Sequence, residues 1–270
     1  MPGTQLQVRP AAVAGRFYPG DAVELAAEVD AMLKTAAVAP GPRPKALIVP
    51  HAGYIYSGPI AASGYRQLLG DGPRPRRVVL LGPAHTVALR GIALPAVDAL
   101  ETPLGTVRVD AELAKIAATL PQVVASREAH AREHALEVQL PFLQRVLGDD
   151  FTLLPLVVGH VGAAAVAAVL DALWGDDDTL IVISTDLSHY LGYNDARAID
   201  GETARQILAL DDSFESDQAC GAFALRGFLQ AARQRGLVPK LLDLRNSGDT
   251  AGDRRRVVGY ASFAFTQEPA

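Results

Sequence analysis

Three of the six histidines in this 270-residue chain share one context. Lys45-Ala-Leu-Ile-Val-Pro50 runs into His51, Arg77-Val-Val-Leu-Leu-Gly82-Pro-Ala runs into His85, and Thr179-Leu-Ile-Val-Ile-Ser-Thr-Asp186-Leu-Ser runs into His189. Neutral imidazole is the commonest protein ligand for transition metals, so three imidazoles brought to one place would make a metal site. Asp186, three residues before His189, reads as a ligand, an orienting partner for a histidine, or the cap of the following turn. Cys220, in Ser216-Asp217-Gln-Ala-Cys220-Gly221, stands at the start of a predicted helix capped by Ser216 or Asp217. Helix amides at that end would lower its pKa and favour the metal-binding thiolate, whereas the competing reading is a buried structural cysteine. His134 and Glu137 are spaced to share a helix face and support the same pocket. His130 and His160 carry no such context and read as ordinary surface or core residues.

The elements that must position these groups follow from pattern. The runs before His51, His85 and His189 are continuous in Val, Ile and Leu, the mark of strands buried on both faces of a parallel sheet. Ligands of such sheets bind beyond the carboxyl ends of the strands, where all three histidines would emerge. Asp21 caps a helix through Leu25, Val29 and Leu33, and Asp110 caps another to about Leu120. Residues 37–44 form a proline-rich connector, 60–69 a helix ending at Gly70, and 72–76 the lead-in to the second histidine strand. Segments 91–95 and 101–110 read as short strands, and 151–158 as a further buried one. Residues 128–147 have the period of one helix, with Pro141 predicted to kink it. Helices are expected over 163–174, 196–210 and 217–235, and a closing strand pair over 238–244 and 257–265. The whole, 1–270, reads as one α/β domain with a mixed, mostly parallel central sheet flanked by helices.

Composition narrows the function. Hydrophobic residues make up 49% of the chain, enough for a full core, and charged residues 20% with a net charge of −5. Nothing favours nucleic acid or an anionic membrane surface. Residues 1–17 lack the pattern of a secretory leader and no stretch has the apolar length of a membrane span, so a cytoplasmic location is expected. The single cysteine excludes an internal disulfide and suits a reducing compartment. There is no phosphate-binding Gly-x-x-x-x-Gly-Lys-Ser/Thr loop, no Gly-x-Gly-x-x-Gly after a strand, and no nucleophile elbow around Ser57 or Ser188.

Seven motifs, in order over nearly the whole chain, resemble the Memo family, whose bacterial and archaeal members are called AmmeMemoRadiSam system protein B. They are Val13-Ala-Gly-Arg-Phe-Tyr-Pro19, Pro50-His-Ala-Gly-Tyr-Ile-Tyr-Ser-Gly58, Leu81-Gly-Pro-Ala-His85, Thr102-Pro-Leu-Gly105, Glu133-His-Ala-Leu-Glu-Val-Gln-Leu-Pro-Phe-Leu143, Ser184-Thr-Asp-Leu-Ser-His189, and Asn246-Ser-Gly-Asp249 with Val257-Val-Gly-Tyr260. The family is similar in fold to class III extradiol dioxygenases, in which two histidines and a glutamate hold Fe(II) and a further histidine moves protons. The resemblance implies His51 and His85 as histidine ligands, with Cys220 where the glutamate would be. It implies His189 as the catalytic acid/base, and Asp186 and His134 lining the pocket. A thiolate is softer than a carboxylate and itself oxidisable, so ring cleavage does not transfer with the resemblance, and Cu(I) or Zn(II) compete with Fe(II).

Three functions are compatible with this reading. The first is a redox or dioxygenase-like enzyme acting on a small molecule. The second is a non-catalytic metal-binding adaptor, since animal Memo proteins are described in signalling and bind phosphotyrosine peptides. The third is a partner subunit, because the system name couples the family to an AMMECR1-type protein and a radical SAM enzyme.

Overall fold

A computed structural model describes residues 6–70, 74–213 and 215–267. In chain order its strands are β1 (Val8–Arg9), β2 (Ala46–Val49), β3 (Arg77–Pro83), β4 (Ile92–Leu94), β5 (Ala99–Thr102), β6 (Gly105–Val109), β7 (Val123–Ala125), β8 (Thr152–Val158), β9 (Thr179–Ser184), β10 (His189–Leu191), β11 (Leu237–Asn246) and β12 (Val257–Gln267). The helices are α1 (Ala22–Thr35), α2 (Tyr54–Tyr65), α3 (Ala111–Ala118), α4 (Arg127–Ala131), α5 (His134–Glu137), α6 (Leu140–Leu147), α7 (Ala163–Leu173), α8 (Tyr193–Leu208), α9 (Ala222–Gln234) and α10 (Ser247–Thr250).

One sheet runs in the order β1-β5-β6-β8-β3-β9-β2-β12-β10, with β11 pairing β12 and β4 joining β8 and β7. The five strands from β6 to β2 in that order are parallel, and β12 adds to β2 in the opposite sense. Alternate residues of the central strands enter two cores. Ile48, Val79, Leu81, Ile181 and Ile183 face the layer holding α7 and α9, whereas Leu47, Val49, Val78, Leu80, Leu180 and Val182 face α1, α2 and α6. A strand clothed on both sides must be apolar at every position, which is why these runs do not alternate. The α/β class, the mixed sheet and its parallel centre are as the sequence implies.

The helix starts predicted at Asp21 and Asp110 hold, each carboxylate accepting from two amides of the first turn. Three local expectations are corrected. The predicted single helix over 128–147 is three pieces, α4, α5 and α6. Pro141 lies in the first turn of α6, where a missing N–H is unneeded, so it starts a helix instead of kinking one. The helix beyond Cys220 begins only at Ala222, leaving Cys220 in the preceding turn. The helix after the His51 loop begins early, at Tyr54 rather than residue 60. The expected lead-in from Gly72 falls partly outside the described residues.

Candidate metal centre

Parallel register places the site. Val49 of β2 pairs with Ser184 of β9, and Leu81 of β3 with Ile183, so these three neighbouring strands end level with one another. The loops that follow carry His51, His85 and the 185–189 segment to one edge. Their shared cleft has a volume of about 790 Å³, and Phe17, His51, His85, His134, Asp186, His189 and Cys220 all line it.

Among the described residues one group has ligand atoms all within 4.8 Å of one another: His51, His85 and His134. The strand pattern had grouped His189 with His51 and His85, and the family resemblance had put Cys220 third and His134 in the pocket lining. His134 arrives instead from α5, and its ring stacks on His85 with centroids 4.7 Å apart and planes 18° apart. Gly82 permits the approach, because a Cβ there would lie 2.8 Å from the Leu136 side chain. Phe17 of the amino-terminal arm also packs against the His134 ring, with centroids 4.7 Å apart and planes tilted by 46°.

The hydrogen bonds decide which nitrogens face the cleft. Ser184 Oγ donates its one proton to the carbonyl of Ala135 at 2.7 Å and accepts from Gln139 Nε2 at 2.9 Å. Its 2.9 Å contact with His51 Nδ1 must therefore be donated by the imidazole, which makes Nε2 the acceptor nitrogen. Glu133 takes His85 Nδ1 at 2.9 Å and the His85 amide at 2.6 Å, which likewise turns His85 Nε2 outward. A carboxylate behind a ligating histidine fixes the ring and raises its basicity. Burial acts to raise the Glu133 pKa, but the bonds from His85 and the amides of Ala135 and His85 outweigh it and keep Glu133 ionised.

Protonation suits ligation too. Burial first, then the neighbouring imidazoles, pushes His51 well below the usual value; burial followed by His85 lowers His134. His189 is lowered chiefly by burial, and its Nδ1 donates to the Leu187 carbonyl at 2.8 Å, so Nε2 is the free nitrogen. These three rings are neutral near pH 7, and a metal there meets no competing proton.

Asp186 is buried and orients the His51 loop, its Oδ1 accepting the His51 amide at 2.7 Å. Burial raises its pKa to about 7, against the opposing bond from that amide. Cys220 Sγ lies 3.2 Å from His51 Nε2 and receives the Asp186 amide at 3.3 Å. The predicted helix-end activation of this thiol is not found. Burial, then the Asp186 charge, pushes it up to about 12, so it donates S–H to His51. Gly221 lets this turn press against β9, since a Cβ there would sit 2.7 Å from Thr185.

Glu137 does not support the pocket as its spacing with His134 implied. It is fully buried and faces the amino-terminal arm, accepting from Arg9 Nη1 at 2.6 Å, Tyr18 hydroxyl at 2.6 Å, Val13 N at 2.9 Å and Ala12 N at 2.8 Å. His130 is buried with Nε2 on the Ala93 carbonyl, and His160 is exposed. Glu133, Ser184 and Gln139 were not singled out from sequence. Glu133 had one signal, an acid directly preceding a histidine in a segment dense with both.

The profile of Memo-like proteins matches residues 9–264. The chain belongs to the Memo family. It is similar to a MEMO1 family protein of Aquifex aeolicus, at 38% identity over 271 residues covering 96% of this chain and 100% of that protein. A MEMO1 family protein of Methanopyrus kandleri is 34% identical over 283 residues, covering 95% and 98%. Among solved structures, an uncharacterized protein of Escherichia coli K12 shares the fold with a TM-score of 0.53 at 17% identity, covering 82% of this chain and 99% of that one. This Memo-family fold thus carries a histidine cluster able to hold a metal. Among the described residues no helix is long and apolar enough to cross a membrane.

Glu133 gives a direct test of the cluster. Glu133→Gln keeps the side-chain shape but loses the anion behind His85, and should weaken metal binding by about 10–100-fold. Competition titration with a chromophoric chelator reads this, and an unchanged affinity would remove Glu133 from the ligand support.

Proposed function

We propose that this Memo-family protein is a metal-dependent redox enzyme of the dioxygenase-like kind, using Fe(II) and acting on a small organic molecule. The observation that carries the proposal is that His51 and His85 each have Nδ1 committed to a partner, so that the two Nε2 atoms face one cleft. Fe(II) bound there would supply open coordination positions and electron transfer toward O2.

The chain's own groups have separable tasks. His51 and His85 are ligands whichever third donor completes the set, and Glu133 holds the His85 ring. Cys220 is the third ligand on the family resemblance. Its proton, shared with His51 Nε2, must leave for ligation, so the thiol near 12 becomes a donor only when a metal drives the ionisation. The same donors suit Cu(I) or Zn(II). His189 offers a neutral Nε2 as proton acceptor, and Asp186, near 7, can hold or release a proton in the working range. Water exclusion falls to Phe17, Tyr260 and Val258 in the cleft wall. A second arrangement, with His134 in place of Cys220, is favoured by the three-histidine group.

The test is elemental analysis of protein purified without oxygen, comparing wild type with His51→Ala, Cys220→Ser and His134→Ala. Near-stoichiometric iron in wild type, absent from His51→Ala and Cys220→Ser, is expected, followed by O2 uptake with catechols. Loss in His134→Ala with retention in Cys220→Ser selects the second arrangement. No metal in wild type after Fe(II), Cu(I) and Zn(II) are offered would sink the redox reading and leave an adaptor, or a partner of AMMECR1-type and radical SAM proteins.

A further inference from the structure

The segment between α10 and β12 carries three consecutive arginines, and the structure employs them differently. Arg254 lies over the Tyr193 ring at 4.4 Å and donates to the Gly248 carbonyl at 3.4 Å. Arg255 is paired with Asp253 through Nε at 2.7 Å and its own amide at 2.8 Å. Arg256 lines the histidine cleft and has no carboxylate or hydrogen-bond partner among the described residues; the Tyr190 ring lies 5.1 Å from its guanidinium. Asp253, the acid nearest in sequence, also borders the cleft but is already engaged by Arg255.

Tyr190 adds an independent sign. Its backbone is left-handed at φ 61, at the break in register of β10 against β12 between His189 and Leu191, a conformation that residues other than Gly, Asn and Asp rarely adopt, and the residue is 63% exposed. Non-glycine residues held this way cluster at ligand sites, where the surroundings impose the conformation. Tyr56 and Tyr260 line the cleft as well, so a planar aromatic ring finds aromatic walls and, at one place, an unpaired guanidinium.

We propose that Arg256 anchors the carboxylate of a small aryl acid whose ring lies against Tyr190 in the histidine cleft. A guanidinium presents a planar fork that matches a carboxylate with two parallel bonds, and one unpaired guanidinium balances one negative charge. An aryl phosphate carries more charge than Arg256 alone offsets, with the Asp253 carboxylate close in the same wall. The assignment rests on the proposed function only in naming what that site receives, because the anchor itself needs no metal.

Calorimetric titration of metal-free and Fe(II)-loaded protein with 4-hydroxybenzoate, its neutral methyl ester and phenyl phosphate tests it. The acid should bind both forms more tightly than the ester. Arg256→Ala should weaken the acid roughly 10–100-fold and leave the ester unchanged, with partial recovery in Arg256→Lys. Arg256 is exposed, so the fold should survive, which circular dichroism checks. Equal affinity of acid and ester, an unaffected Arg256→Ala, no measurable binding of the acid at millimolar concentration, or tighter binding of phenyl phosphate overturns the assignment. Acid selectivity in a protein that never takes up metal would sustain the anchor while the redox reading falls. Iron uptake without acid selectivity would do the reverse.

Discussion

Glu137→Ala should lower the unfolding free energy by about 3–5 kcal/mol, the largest effect expected of any single substitution away from the histidines. The carboxylate is fully buried beside Arg9, itself 5% exposed, and their 2.6 Å ion pair is closed on all sides. Arg9 also donates to the carbonyls of His130 and Glu133, so it cannot follow its lost partner to solvent without breaking those bonds. Removing the carboxylate thus leaves a buried cation, two backbone N–H groups and the Tyr18 hydroxyl without their acceptor. Each buried donor adds its own desolvation penalty. Arg9→Ala should be milder, since the amides and the phenol still satisfy Glu137, and the double variant should lose far less than the sum. Equilibrium denaturation in urea measures all three. A loss below about 1 kcal/mol for Glu137→Ala, or strict additivity in the cycle, would show that the network is not one unit. Because Phe17 covers His134 and accepts the Tyr54 amide, the same variant should expose the arm to limited proteolysis and loosen the His134 ring.

Acidification should reveal the second large effect. His130 is buried, and burial above all lowers its pKa from 6.5 to about 4, partly offset by the bond to Ala93. Between those values the unfolded chain holds a proton at this position that the folded chain excludes. Stability from this residue is therefore intact above pH 6.5 and drains away as pH falls to about 4, a loss of about 3 kcal/mol. His51, His134 and His189 have the same sign, while Asp186 and Asp200, raised to about 7 and about 6, oppose it because their folded forms take up protons early. The His130 share is isolated by comparison with His130→Gln, whose amide can still reach Ala93. Urea midpoints for the two proteins should converge as pH drops from 7 to 4, and parallel profiles would refute the assignment.

Much of the frame was legible because it follows from period and punctuation. Strands buried on both faces have no polar face to interrupt them, so β2, β3 and β9 announced themselves, together with the edge where His51, His85, Asp186 and His189 emerge. Asp21 and Asp110 were legible because a cap bond is local. What escaped is non-local. The leucine period across 128–147 suggested one helix, but Glu133 leaves helical duty to cap Ala135 and grip His85, and Gln139 turns to Ser184 and the Pro50 carbonyl. Those bonds reach partners far away in sequence, and no periodicity encodes them. Glu137 shows the same limit, since its spacing from His134 is real but its partners lie in the arm. The helix near Cys220 was expected from residue 217 and starts at Ala222 for a different reason: helix ends are weakly encoded, and a shift of a few residues separates a first-turn position from the turn before it.

β12 follows every other described element in the chain, yet it pairs with β2, which is among the earliest. During synthesis, then, the Ala46–Val49 edge waits with its amides and carbonyls unmatched while most of the chain emerges from the ribosome. A flat apolar edge in that state is a template for joining other chains. The polypeptide is most open to misassociation in that interval, and a chain stalled before residue 257 should yield an insoluble product that lacks both the partner of β2 and the cleft wall that β12 supplies.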